Sequence, residues 1–203
     1  SSDPEPKDRW INATYNDKIV ASKTGWQHAT TITSPNCGPT TDSGDGTSYF
    51  AYARLENNDG NANKYFGYRT PLIDAHDSVR DLKVEFYYHM FTKPDIDVGH
   101  MFVDYSYYED FSDGGTALTT IWDVDGTPSS EVKIEGAQQT SKDAAWKKAR
   151  IDLSAFHGKR FYLRFNYLPA PNMHNAAAID QVKVFAAEGI SSLRVLHPTH
   201  DDH

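Results

Sequence analysis

The chain has 203 residues, a net charge of -8, 38% hydrophobic residues and a single cysteine. That length supports one sizeable core, and the composition excludes both a disordered chain and membrane insertion, because no apolar run is long enough to cross a bilayer. An acidic chain without a dense Lys/Arg run repels phosphate backbones, so nucleic acid is not an expected partner; with Cys37 alone, no intramolecular disulfide forms.

Residues 1–14 carry charge and proline but no apolar stretch, and read as an inter-domain linker or N-terminal extension of a longer protein. Trp10, within it, is expected to dock on the domain surface. From 15 to 188, short runs of Tyr, Phe, Val and Thr recur between clusters of Gly, Asn, Asp and Pro, the pattern of many strands joined by turns. Strands are predicted over 18–22, 26–32, 48–54 and 65–69. The next, 82–91, alternates most cleanly: Leu82, Val84, Phe86, Tyr88 and Met90 share one face, Lys83, Glu85, Tyr87 and His89 the other. Strands over 100–107, 117–124 and 146–152 follow. Over 160–167, Phe161, Leu163, Phe165 and Tyr167 oppose Tyr162, Arg164 and Asn166. In the last, 177–185, Ile179 shares a face with Val182 and Val184 only if a kink intervenes. Loops are expected at 56–64, 92–99, 108–115 and 126–144, and the polar, His-rich stretch 189–203 reads as a C-terminal extension or frayed tail. Half-buried alternation without a long helix predicts an all-β, antiparallel β-sandwich of jelly-roll type, with Trp26, Trp122 and Trp146 in its core.

Several segments in succession resemble the MAM domain, an extracellular jelly-roll adhesion module. They are Gly25-Trp26, Gly38-Pro39-Thr40-Thr41-Asp42, Tyr49-Phe50-Ala51-Tyr52-Ala53 and Arg69-Thr70-Pro71-Leu72-Ile73. The block Val84-Glu85-Phe86-Tyr87-Tyr88-His89-Met90 matches best; Leu118 to Trp122, Trp146 to Leu153 and Ala178-Ile179-Asp180-Gln181-Val182 complete the order. The resemblance implies a secreted or cell-surface adhesion module. Animal members usually carry paired cysteines, so the lone Cys37 points to a bacterial relative. It also implies a structural Ca2+ shared by Asp42 and Asp180 with carbonyls and an N-terminal acid, for which this chain has no clean match, Asp17 being near.

The chemistry of the side chains is that of a binder. No Gly-x-Ser-x-Gly elbow occurs and no base accompanies Cys37. Asp123-Val124-Asp125-Gly126 opens like a Ca2+ loop but lacks the later glycine and glutamate. The 12 Tyr, 10 Phe and 4 Trp exceed the needs of one core, so some rings are expected at the surface. Tyr87 and His89 on one strand, and Tyr105, Tyr107 and Tyr108 on the next, are the candidate ligand-binding residues: aromatic faces beside Asp and Asn suit sugar rings, and equally protein surfaces. The expectation is a non-catalytic adhesion or ligand-binding module of a larger exported protein, taking an extracellular glycan or protein ligand. The alternatives are a carbohydrate-binding accessory module of a secreted hydrolase or protease and, third, a sandwich-fold glycan-cleaving enzyme, for which Tyr107-Tyr108-Glu109-Asp110 is the most suggestive cluster.

Overall fold

The structure is a computed structural model that describes residues 10–13, 25–44, 49–55, 64–76, 80–93, 97–171, 175–186 and 194–195. In chain order its strands begin with β1 (Ile11–Ala13), β2 (Gln27–Ala29), β3 (Phe50–Leu55), β4 (Phe66–Arg69) and β5 (Ile73–Asp74). They continue with β6 (Leu82–Met90), β7 (Gly99–Ser106), β8 (Thr116–Ala117), β9 (Thr120–Val124) and β10 (Thr127–Glu131). The last are β11 (Lys133–Glu135), β12 (Lys147–Asp152), β13 (Arg160–Pro169), β14 (Asn175–Ala186) and β15 (Arg194–Val195). The expected strand 18–22 lies outside the described residues.

All pairings are antiparallel and form two sheets, as expected. A seven-stranded sheet runs β1-β4-β13-β7-β11, with β5 on β13 and β8 on β7; an eight-stranded sheet runs β10-β9-β12-β6-β14-β3-β2, with β15 on β14. Their facing sides bury Phe86, Tyr88 and Trp122 from one sheet against Phe161, Leu163, Phe165 and Tyr167 from the other. Phe86 meets Phe165 edge to face at 4.9 Å and Trp122 at 5.8 Å, the arrangement that aromatic quadrupoles favour. The kink needed in the last long strand is a bulge between Asp180 and Lys183 with Gln181 at φ 48°, which returns Val182 and Val184 to the core side.

Two expectations are corrected. Residues 10–13 are part of the sandwich: β1 pairs with β4, and Trp10 is 9% exposed, stacked on Tyr68 at 4.7 Å in the core cluster. The stretch 126–144 is not all loop, because β10 and β11 lie in it. β10 is too polar and exposed to show period-2 alternation, and β11, which buries only Ile134 between Lys133 and Glu135, is too short to reveal one. Only Val132 separates them, yet β10 belongs to one sheet and β11 to the other, so the chain turns a corner of the sandwich in a single residue.

The outer side of the eight-stranded sheet is partly covered. Segments 30–44 and 136–146 lie over it, burying Ile32, Cys37, Phe50, Ala176 and Ala178 in a second apolar cluster with Trp146 against it. The segments are tied to each other by the Thr40 N–H to the Lys142 carbonyl, 3.3 Å, and by the Trp146 indole to the Thr41 carbonyl, 3.1 Å. Gly38 permits the approach, since a Cβ there would lie 2.6 Å from the Lys142 backbone. Gln139 closes the end of β6, accepting from Met90 N–H at 2.7 Å and donating to the Tyr88 carbonyl at 3.1 Å.

Candidate functional site

At the end of β7 the chain leaves the sheet as a loop, 107–115, whose first two residues are Tyr107 and Tyr108, 45% and 59% exposed. Beneath them runs an aromatic ladder. Phe161 of the core touches Phe156 at 4.4 Å, Phe156 meets Tyr105 edge-on at 4.6 Å, and Tyr105 meets Tyr107 at 5.6 Å. The Lys159 ammonium stands 5.9 Å from the Tyr107 ring centre.

The rest of the loop folds back over the outer side of the seven-stranded sheet and is fastened there. Glu109 accepts from Arg69 at 2.9 Å, and that guanidinium lies 4.8 Å over the Tyr162 ring. Phe111, held at φ 55°, covers the Arg164 guanidinium at 4.0 Å. Asp113 accepts from the Ser106 hydroxyl at 2.7 Å and the Gly115 N–H at 3.0 Å. Gly115, at φ 71°, is required, for a Cβ would meet Asp104 Oδ2 at 2.5 Å.

Under the loop sits a buried ionic pair. Arg164 donates through Nε and Nη2 to the two oxygens of Asp104, at 3.1 and 2.5 Å, and Asn166 adds a third bond at 2.8 Å. Burial pushes the Asp104 carboxyl up, against the pull of Arg164 and Asn166. Strand parity alone read Arg164 and Asn166 as outward polar residues. The structure makes them the floor that a loop closes over, and no local signal in the sequence announces that loop's path.

Glu109 is committed to Arg69, and hydrogen bonds from Ser112 hold the Asp110 carboxyl below its ordinary range. The cluster thus sets these two carboxylates beside two exposed rings.

Of the expected ligand residues, Tyr105, Tyr107 and Tyr108 come together here, with Tyr105 as support. Tyr87 and His89 do not join them, because β6 and β7 belong to different sheets. Tyr87 is half-buried with Lys148 5.8 Å from its ring centre, beside Glu85, which Lys148 and Arg150 both engage. Burial pushes Glu85 up, but the two cations hold it below its usual value. Next to them a shallow groove runs between Ile121, Pro128 and Arg150.

His89 is a correction. It lies on the expected outer side of the sheet but is fully buried under the 136–146 segment, 5.6 Å from Trp146, out of a ligand's reach. Burial lowers its pKa to about 4, against the opposing pull of the Ala144 and Ser141 carbonyls and the Asp143 carboxylate.

Asp42 and Asp180 approach one corner. Asp180, 2% exposed, accepts from the N–H groups of Ser43 at 2.9 Å and Gln181 at 2.7 Å, while Asp42 accepts from Gly44 at 3.0 Å. Two carboxylate side chains fall short of the roughly six to eight oxygens that Ca2+ takes. Among the described residues, no three His, Cys, Asp or Glu side chains gather as a metal-binding group.

No protein-family model matches the chain, and no curated protein matches it. Among solved structures it is similar to the K1 cleaved adhesin domain of Lys-gingipain from Porphyromonas gingivalis W83. That likeness has a TM-score of 0.49 and 15% identity, over 88% of this chain and 99% of that one. It is also similar to TmCBM61, solved with β-1,4-galactotriose, with a TM-score of 0.46 and 13% identity, over 87% and 88% of the two chains. A third, TmCBM27, a mannan-recognising carbohydrate-binding module, aligns with a TM-score of 0.36 and 11% identity, over 89% and 99%.

Proposed function

We propose that this domain is a non-catalytic adhesion or ligand-binding module of a larger exported protein, acting at the cell surface or in the secreted medium, and that it holds an extracellular glycan or protein ligand against Tyr107 and Tyr108. One observation carries the reading: two exposed tyrosines stand on a loop that Arg69, Arg164 and Ser106 fix in place. Exposed rings add little to folding, while rings held rigidly before a ligand arrives avoid much of the ordering cost of binding. The flanking Glu109, Asp110 and Lys159 offer acceptors and a donor around an aromatic face. That favours the carbohydrate-binding form of the reading, as an accessory module of a secreted hydrolase or protease. The corner of Asp42 and Asp180 is proposed as a structural Ca2+ site.

The test is a glycan array that includes β-1,4-galactotriose and mannan, followed by calorimetry with the best binder. The Tyr107→Ala/Tyr108→Ala double variant should bind about tenfold or more weakly, as expected for lost ring contacts, with an unchanged melting temperature. Unchanged affinity in that variant would overturn the assignment.

A further inference from the structure

The segments over the eight-stranded sheet cover β3, part of β14 and the end of β6, and leave the β12-β9-β10 end open. There Ile121 is 43% exposed, and the side chains of Lys148 and Arg150 are 46% and 49% exposed. β12 pairs with β6 along its whole length, but with β9 only through Ala149 with Trp122 and Arg150 with Ile121. The ladder stops short of Lys148 and Asp123, and a groove of about 270 Å³ lies there. Ile121, Asp123 and Pro128 line it from β9 and β10, Lys148 and Arg150 from β12.

Both cations are oriented before any ligand arrives. Glu85, beside them on β6, accepts from Arg150 Nε at 2.8 Å and from its Nη2, and from Lys148 Nζ at 3.0 Å; the same ammonium stands 5.8 Å from the centre of the Tyr87 ring. These bonds use only part of the donor set of a guanidinium and an ammonium. Charge also favours an anion. Lys148, Arg150 and, opposite Glu85 on β14, Lys183 outnumber Glu85 and Asp123, while Lys147 pairs with Asp125 and Lys83 lies opposite Asp152. A chain of net charge -8 thus carries a local surplus of positive charge at this groove. We propose that the groove is a second binding site whose ligand is a uronate, a sugar ring bearing a carboxylate.

The ring's C–H face rests on Ile121 and Pro128, its carboxylate takes the remaining N–H donors of Arg150 and Lys148, and Asp123 accepts from a hydroxyl. The volume is just under that of clefts enclosing drug-sized ligands, roughly 300–1,000 Å³, so one sugar residue enters and the rest of the glycan stays outside. Glu85 is a positioning group, because cations already fixed lose less side-chain freedom on binding. A neutral sugar forgoes the charge-assisted bonds, and an acidic peptide brings no rigid C–H face to Ile121 and Pro128. The groove lies on the sheet opposite that of Tyr107 and Tyr108, so the site goes beyond the preceding proposal and the two fail separately.

The experiment is calorimetry at low salt with trigalacturonate, β-1,4-galactotriose and triglutamate. It uses the Tyr107→Ala/Tyr108→Ala variant as background, so that the first site does not contribute. Trigalacturonate should bind about tenfold or more tightly than the other two, equally well in the wild type, and less tightly as salt rises. Arg150→Gln should weaken it about tenfold, with Arg150→Lys, which keeps the charge but loses the fork, in between. Ile121→Asp, which brings a carboxylate to the groove and leaves the ion pairs of Glu85 in place, should also weaken it about tenfold. The proposal is overturned if trigalacturonate does not bind saturably in this background, if galactotriose or triglutamate binds as tightly, or if Arg150→Gln and Ile121→Asp keep the full affinity. If Arg150→Gln lowers the melting temperature, the exposed Ile121→Asp decides alone.

Discussion

His89 shows how far a single residue is readable from its neighbours. The alternation of β6 assigns it correctly to the side of the sheet away from the main core, with Tyr87. Parity, however, distinguishes two sides of a sheet and not protein from water. Segments distant in the chain lie on that side, so Tyr87 keeps partial access while His89 has none. The consequence is a pH dependence with a defined sign. The folded ring stays neutral down to pH about 4, whereas an unfolded chain protonates it near its ordinary value of 6.5. Between those values the unfolded state binds the extra proton, so stability falls as pH drops through that window and levels off below it. In denaturant titrations the wild type should lose up to about 3 kcal/mol more than His89→Leu between pH 6.5 and 4. Equal losses in the two proteins would show that the imidazole does not resist protonation.

Among the elements, the 107–115 loop matters most, because it converts a polar sheet surface into a buried one. Its fastening depends on charges that are costly to isolate. Asp104→Ala leaves the Arg164 guanidinium, 2% exposed, without its carboxylate partner, and removal of one member of a buried pair costs about 3–5 kcal/mol. Urea unfolding should show that loss, and hydrogen exchange should show the loop amides of Phe111, Gly114 and Gly115 losing protection beyond the global change. Replacing both partners by apolar residues, Asp104→Leu with Arg164→Met, should recover much of the stability, since no orphaned charge remains. The sequence marks this loop by its Asp and Gly residues and offers Tyr107 and Tyr108 as exposed rings. It does not disclose Arg69 and Arg164 as anchors, because those contacts link residues 40 and more positions apart. Strands whose apolar side faces the other sheet, such as β6, β7 and β13, are legible from alternation. β10 is not, since an exposed polar edge strand has no apolar period to reveal, and β11 is not, since its three residues bury only Ile134.

For the molecule as a whole, the absence of any disulfide places its stability on the core, the second apolar cluster and any bound ion. If Ca2+ occupies the Asp42 and Asp180 corner, it binds only the native state, and the melting temperature must rise with its concentration. Calorimetric scans in excess Ca2+ and in EDTA should differ by several degrees, and Asp180→Asn should abolish the difference. Coincident scans would remove the ion from the account.

The single-residue corner at Val132 has a consequence for association. Because, among the described residues, β10 ends one sheet and β11 the other, two strand edges meet along one seam of the sandwich, where a foreign strand could add to either. The residues along the seam oppose this: Pro128 lacks a donor, Glu131 ends the first edge, and Lys133 and Glu135 flank the second. A foreign strand approaching this seam therefore meets a proline and charged side chains before it can extend either sheet.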